Sequence, residues 1–216
     1  MGYNHLMGSK HLIIVGIDEA GRGPLAGPVS VGAFAFLKPT ASRLFKGVKE
    51  SKQLSEKKRE EWFAIIQRSK RSGVIDFCVT MKSNEIIDSK GLSFAIKSAL
   101  ATSLKALNLK PAKCLVLLDG GLKAPVEYLD QKTIIKGDEK KMVIALASIC
   151  AKVTRDRLMN KLAKRFPEYG FEIHKGYGTK KHYEAIKEYG ITEWHRRSFL
   201  LCHSREPRRR RSVAEA

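Results

Sequence analysis

The chain has 216 residues, 43% of them hydrophobic and 29% charged, which is enough apolar material for one sizeable core and excludes wholesale disorder. Lys and Arg number 41 against 22 Asp and Glu, a net charge of +19, so polyanions such as nucleic acid are the natural partners. Removing residues 205–216 deletes five Arg and two Glu and still leaves +16, so the body of the chain is itself basic.

Residues 1–10 read as a flexible leader, 11–204 as one catalytic domain, helical from about 167 onward, and 205–216 as a basic, disordered tail. Within the domain, 11–17 is a short apolar run read as a buried strand, and 29–37, rich in Val and Phe, reads as a second strand. The Gly- and Pro-rich link between them predicts a hairpin. Trp62, Phe63, Ile65 and Ile66 share one stripe of a helix over 55–71, and 73–80 is a third strand. Leu92, Ile96, Leu100, Leu104 and Leu107 recur at helical spacing and stop before Pro111. A fourth strand over 114–118 runs into Asp119-Gly120, 133–135 is a brief fifth, and 139 to about 166 reads as one long helix stopped by Pro167. This order predicts an α/β fold, a mixed sheet flanked by helices with a helical C-terminal region. No apolar run approaches the roughly 18–20 residues of a membrane span, and no signal-peptide core follows the N-terminus. Cys78, Cys114, Cys150 and Cys202 form no CxxC pair and read as structural thiols of a reducing, cytoplasmic compartment.

The most informative segment is Gly16-Ile17-Asp18-Glu19-Ala20-Gly21-Arg22-Gly23-Pro24, continuing to Gly27-Pro28. Two adjacent carboxylates leave an apolar strand, where ionised acids are costly unless cations or hydrogen bonds compensate them. The competing reading makes Asp18 a turn cap and Glu19 a solvated residue; a dinucleotide loop fits poorly, because the spacing is GxGxxxG with Pro24 inside it. Regular strand geometry points Asp18 and Glu19 to opposite faces, so for both to serve one site the strand must already be turning at Glu19. Asp119 repeats the arrangement, an acid delivered by an apolar strand into two glycines. Ligand sites of open α/β sheets collect at strand ends, and three such acids would make a hard oxygen site suited to Mg²⁺ or Mn²⁺.

These stretches, with Leu118-Asp119-Gly120, Lys136-Gly137-Asp138, the run from Ala147 to Arg157, and His174-Lys175-Gly176-Tyr177-Gly178-Thr179, closely resemble bacterial ribonuclease HII over roughly residues 13–198. The resemblance implies a ribonuclease H-like fold. It also implies an endoribonuclease that hydrolyses the RNA strand of RNA–DNA hybrids and nicks duplex DNA 5′ of single embedded ribonucleotides, by two-metal-ion hydrolysis leaving 5′-phosphate and 3′-hydroxyl ends. It implies a cofactor of two Mg²⁺ or Mn²⁺ ions, a monomeric protein and no membrane partner. Nothing in the residues identifies a protein partner such as a sliding clamp.

Four catalytic, metal-binding carboxylates are implied: Asp18, Glu19, Asp119 and a fourth at the Lys-Gly-Asp turn, Asp138. Asp156 competes for that role; it lies 18 residues farther along, about 27 Å on a straight helix, so the two cannot share a metal pair about 3.5–4 Å across, and it is the resemblance that chooses Asp138. Asp156 therefore reads as a structural ion-pair or cap partner. For substrate, the resemblance implies that Gly21, Arg22, Gly23 and Tyr177 read the ribonucleotide and its junction with DNA. Lys52, in Glu50-Ser51-Lys52-Gln53-Leu54, is a candidate phosphate contact, although Glu50 and Gln53 depart from the family's Asp-Ser-Lys-Lys-Leu. His195 and His203 read as surface or packing residues. The chief rival, a binding module without catalysis, fits the basic charge but not the four acids, whose loss would improve a phosphate groove. An integrase-like or resolvase-like nuclease would lack the glycine-arginine-glycine loop.

Overall fold

The computed structural model describes residues 13–203; the leader, the tail and the side chain of Cys202 lie outside the described residues, as does that of His203. The strands are β1 (Ile13–Ala20), β2 (Val29–Phe36), β3 (Ile75–Lys82), β4 (Cys114–Asp119) and β5 (Gln131–Ile134), in one mixed sheet ordered β3-β2-β1-β4-β5. The helices are α1 (Glu56–Arg71), α2 (Asn84–Lys90), α3 (Leu92–Ala106), α4 (Gly137–Lys140), α5 (Met142–Arg165), α6 (Phe171–His174), α7 (Lys180–Tyr189) and α8 (Arg197–His203). The α/β architecture and the helical C-terminal region expected from the sequence are both present.

Strand alternation divides the core. Val15, Ile17, Val116 and Leu118 face Ala95, Ile96, Ala99 and Leu100 of α3, whereas Ile14, Leu115 and Leu117 face Val143, Ile144 and Ala147 of α5. Helix α5 is buried along most of its length, and it reaches the sheet backbone where side chains are absent. A Cβ at Gly16 would lie 2.2 Å from the Val143 carbonyl oxygen, and one at Gly32 would lie 2.3 Å from that of Ala147. These glycines are there for close approach rather than for turning. Beyond the sheet, Met159, Leu162, Tyr169 and Phe171 form a smaller cluster with Ala26 and Ala185, tying the C-terminal helices to the loop after β1.

The antiparallel β1–β2 pair confirms the expected hairpin, and Ser55 caps α1 by accepting from the Lys58 amide. Two expectations are corrected. Strand β1 does not turn at Glu19, since pairing continues through Ala20 opposite Ser30. The single helix from 139 is instead two, because Lys141 is extended at φ −130°, ψ 113° and separates α4 from α5. Helix α2 has no counterpart in the sequence reading.

Among the described residues, Cys78, Cys114 and Cys150 are free thiols, the latter two buried, and no helix is long and apolar enough to cross a membrane. His195 is a packing residue, buried and ring to ring with His182 at a centroid distance of 5.2 Å.

Candidate active site

Strands β1 and β4 run parallel with Ile17 opposite Leu118, so the next residues, Asp18 and Asp119, leave the sheet side by side on the face covered by α5. Strand β5 pairs parallel to β4 with Ile134 opposite Asp119, and the chain then turns through Lys136 in the left-handed region (φ 53°) into α4. The Gly137 amide donates to Asp119 Oδ1 at 2.6 Å, which fixes the turn and brings Asp138 forward. A Cβ at Gly137 would come within 2.6 Å of Ile144 Cδ1, so a side chain at this position would require Ile144 to shift. Carboxylate oxygens of Asp18, Asp119 and Asp138 consequently lie within 4.8 Å of one another. Asp138 is buried in the short helix α4, which stands directly ahead of the long helix α5, so it precedes the long helix as the sequence had suggested.

Glu19 stands outside this group of three, as strand alternation requires, and takes a hydrogen bond from Arg22 Nη1 at 3.0 Å. It remains electrostatically part of the site. Burial first, then the charges of Glu19 and Asp119, hold the Asp18 carboxyl well above its ordinary range, against a hydrogen bond to Ser148. Burial also raises Glu19, with Arg22 opposing, and burial raises Asp138, with Lys52 opposing and Glu50 adding to the rise. Glu19 Oε2 and Asp138 Oδ2 are buried without a hydrogen-bond partner. Hard oxygens crowded together, protonation-prone and partly unsatisfied, are a donor set that fits divalent cations such as Mg²⁺ or Mn²⁺.

The remaining predicted residues surround this centre. Asp18, Glu19, Asp119, Gly21, Arg22, Gly23, Lys52 and Tyr177 all line one cleft of about 330 Å³. Lys52 projects from a short 3₁₀ turn, Ser51–Gln53, and lies 3.5 Å from Glu50 and 3.7 Å from Asp138. Burial works against its ammonium charge, but the Asp138, Glu50 and Asp18 carboxylates outweigh it and raise the pKa. Tyr177 is 44% exposed, and its ring edge lies 3.6 Å from where a Gly23 Cβ would be. Asp156 is buried away from the three acids, 2.8 Å from Lys152 and 3.7 Å from Arg59, the ion-pair partner the sequence had suggested.

Sequence reasoning missed Ser51, Ser148 and Lys152, which also line the cleft; the Ser51 and Ser148 hydroxyls are 2.7 Å apart, behind Asp18. A signal was available. Ser148 is the one polar residue in the apolar opening of α5, over 142–151, and Lys152 follows it at a spacing of four, one turn along the same face.

Acids converging from adjacent parallel strands, on a sheet of this order and beside a glycine-rich loop in a basic chain, define a metal-dependent nuclease of the ribonuclease H class. The family model for ribonuclease HII matches residues 15–202. Curated ribonucleases HII from Clostridioides difficile (strain 630) and Fusobacterium nucleatum subsp. nucleatum are 47% and 48% identical, over 88% and 87% of this chain and 71% and 85% of their own. Among solved structures, a chain of the PCNA:RNase HII complex from Archaeoglobus fulgidus superposes with TM-score 0.68 at 28% identity, covering 87% of this chain and 94% of that one. Bst-RNase HIII in complex with Mn²⁺ shares the fold, with TM-score 0.59 at 21% identity over 86% of this chain and 65% of that one. The chain belongs to the ribonuclease HII family, and it is a metal-dependent endonuclease.

Proposed function

We propose that the protein hydrolyses the RNA strand of RNA–DNA hybrids and nicks duplex DNA immediately 5′ of a single ribonucleotide, leaving a 5′-phosphate and a 3′-hydroxyl. The observation that carries this reading is the meeting of Asp18, Asp119 and Asp138 oxygens within 4.8 Å at adjoining strand ends. Asp18, Asp119 and Asp138, with Glu19 at the rim, would hold Mg²⁺ or Mn²⁺. When bound, two such ions supply activation of the attacking water and neutralisation of the leaving 3′-oxygen.

The chain's own residues position everything else. Ser148 holds Asp18 by a hydrogen bond, and the Gly137 amide holds Asp119. Lys52, anchored between Glu50 and Asp138 but largely exposed, is placed to meet a phosphate at the lip of the cleft. The Gly21-Arg22-Gly23 backbone reads the ribose 2′-hydroxyl, the group that distinguishes RNA from DNA locally. Tyr177 offers its ring to the adjoining sugar. The remaining basic charge supplies salt-dependent attraction to the phosphate backbone. The protein acts as a monomer in the cytoplasm. A sliding clamp is a further partner class, since the Archaeoglobus relative is known in a complex with PCNA.

Incubating the full chain with duplex DNA containing one ribonucleotide, with and without Mg²⁺ or Mn²⁺, and mapping the ends tests the reading. A divalent-dependent nick 5′ of the ribonucleotide is expected; divalent-independent cleavage, or 2′,3′-cyclic ends, would contradict it. Tyr177→Ala is expected to lower kcat/KM at an isolated ribonucleotide by roughly 10- to 100-fold, the loss of about 1–3 kcal/mol of stacking. Because the ring is half-exposed, the melting temperature should barely move. Parallel loss of activity and melting temperature would make Tyr177 a structural residue.

A further inference from the structure

Two arginines lie entirely inside the protein beneath the glycine-rich loop. Arg196 is 0% and Arg155 1% exposed, and their six hydrogen bonds go to main-chain carbonyls rather than to carboxylates. Arg196 donates to the carbonyls of Gly21 at 2.7 Å, Arg22 at 2.9 Å and Gly27 at 2.9 Å. Arg155 donates to Pro28 and Lys175 at 2.9 Å and to Ala26 at 3.1 Å. The Arg196 guanidinium lies over the Phe199 ring at 5.1 Å. Arg155 packs flush against the loop, since a Cβ at Gly21 (φ 89°) would fall 2.2 Å from its Nε. Burial and the neighbouring Arg155 cation lower Arg196 to about 9, so it stays charged at neutral pH.

A buried cation with no carboxylate hydrogen-bonded to it is expensive, and Asp88 and Asp156 offset the Arg196 and Arg155 charges only from a distance. Its geometry has a consequence in the cleft. In a planar trans peptide the C=O of one residue and the N–H of the next point in opposite directions. With the Gly21 and Arg22 carbonyls drawn inward onto Arg196, the Arg22 and Gly23 amides are turned outward, into the cleft that Gly21, Arg22 and Gly23 line. Arg155 secures the other side of the cleft. Its bond to the Lys175 carbonyl, together with the Leu25 amide on the Gly176 carbonyl at 2.8 Å, ties the Tyr177 segment to the same loop.

We propose that Arg196, braced by Arg155, is a positioning residue for ribose selectivity: it acts through the Gly21–Gly23 backbone, presenting two successive amide donors to the 2′-hydroxyl at a fixed distance from Tyr177. This deepens the proposed activity and rests on it. The selectivity is therefore made by main-chain orientation, enforced from behind, and not by the Arg22 side chain, which is engaged with Glu19.

The test uses the full chain and its Arg196→Lys variant, which keeps the charge but replaces the planar guanidinium fork that spans the Gly21, Arg22 and Gly27 carbonyls with a single ammonium point. Affinities are measured without divalent ion, so that nothing is cut, for a short DNA duplex with one ribonucleotide and for the all-deoxy duplex of the same sequence. The wild type should prefer the ribonucleotide duplex, and Arg196→Lys should reduce that preference about tenfold, as expected for losing oriented hydrogen bonds, with all-deoxy affinity within about twofold of wild type. An arginine that merely held the fold would weaken both duplexes alike, and an unchanged preference or a parallel loss would overturn the inference. If the wild type itself shows no preference, the functional reading fails. A second measurement needs no variant: in the free wild-type protein, the Arg22 and Gly23 amides should exchange with solvent as unprotected donors and become protected when the ribonucleotide duplex binds. Protection already present in the free protein would overturn the inference, even if Arg196→Lys failed to fold.

Discussion

Asp18→Asn is expected to lower cleavage by about 10³-fold or more and, in the absence of divalent ions, to raise the melting temperature. The first effect is the loss of one oxygen anion from a donor set worth several kcal/mol to phosphodiester hydrolysis, at 1.36 kcal/mol per tenfold. The second follows from the sign of the electrostatics. Asp18 is 5% exposed, and burial together with repulsion from Glu19 and Asp119 raises its carboxyl pKa. For a carboxyl whose folded pKa is raised, the stabilising contribution is complete below the unfolded pKa and is lost as pH rises through the folded pKa. Ionising Asp18 is therefore unfavourable in the folded, metal-free protein, whereas an amide carries no charge to repel. A gain of about 1 kcal/mol, or roughly 2–4 °C in a chain of this size, is the expected order. The wild type without divalent ion should also become more stable as pH falls from neutral toward the ordinary carboxylate range, a trend the variant should share less. Thermal melts across pH, with and without Mg²⁺, read all of this; a variant less stable than wild type without metal would make Asp18 a structural group.

Gly16→Ala is the substitution with the largest expected effect on folding. The added methyl would sit 2.2 Å from the Val143 carbonyl oxygen and 2.3 Å from its carbon, a collision with helix backbone that no rotamer change relieves. Overpacking in a tight core costs about 1–3 kcal/mol, and an obstacle made of main chain puts this case at about 3 kcal/mol or above, a fall of roughly 6–12 °C. Activity should fall with it, because Ser148 and Lys152 ride on the displaced helix and line the cleft. Denaturant midpoints compare the two proteins directly, and an unchanged midpoint would show that α5 does not bear on β1 as described.

The strands and long helices were legible because their periodicities are local: alternation or continuous apolar runs in β1, β2 and β4, and the four- and three-residue spacing of Leu92, Ile96, Leu100 and Leu104 in α3. The acids were legible as strand-end residues, and the resemblance singled out Asp138 over Asp156. What sequence could not yield was non-local. The break at Lys141 is imposed by the turn that ties Gly137 to Asp119 and by the approach of α5 to Gly16, neither of which has a local signal. The sequence left the direction of Glu19 open between regular alternation and an early turn, and β2 decides it by holding β1 straight through Ala20. Arg155 and Arg196 carry no local signal of burial in a chain rich in Lys and Arg, and only the folded loop reveals the carbonyls they serve.

The central claim is that acids from the ends of β1 and β4 and from the turn after β5 hold divalent ions together. Titrating Mn²⁺ into the full chain and into Asp119→Asn, with free Mn²⁺ followed by its electron paramagnetic resonance signal, tests it most directly. The account predicts saturable binding by the wild type and affinity at least about tenfold weaker in the variant, since even the loss of an outer-shell partner of a metal ligand costs about 10- to 100-fold. Equal Mn²⁺ affinity in the two folded proteins would contradict it.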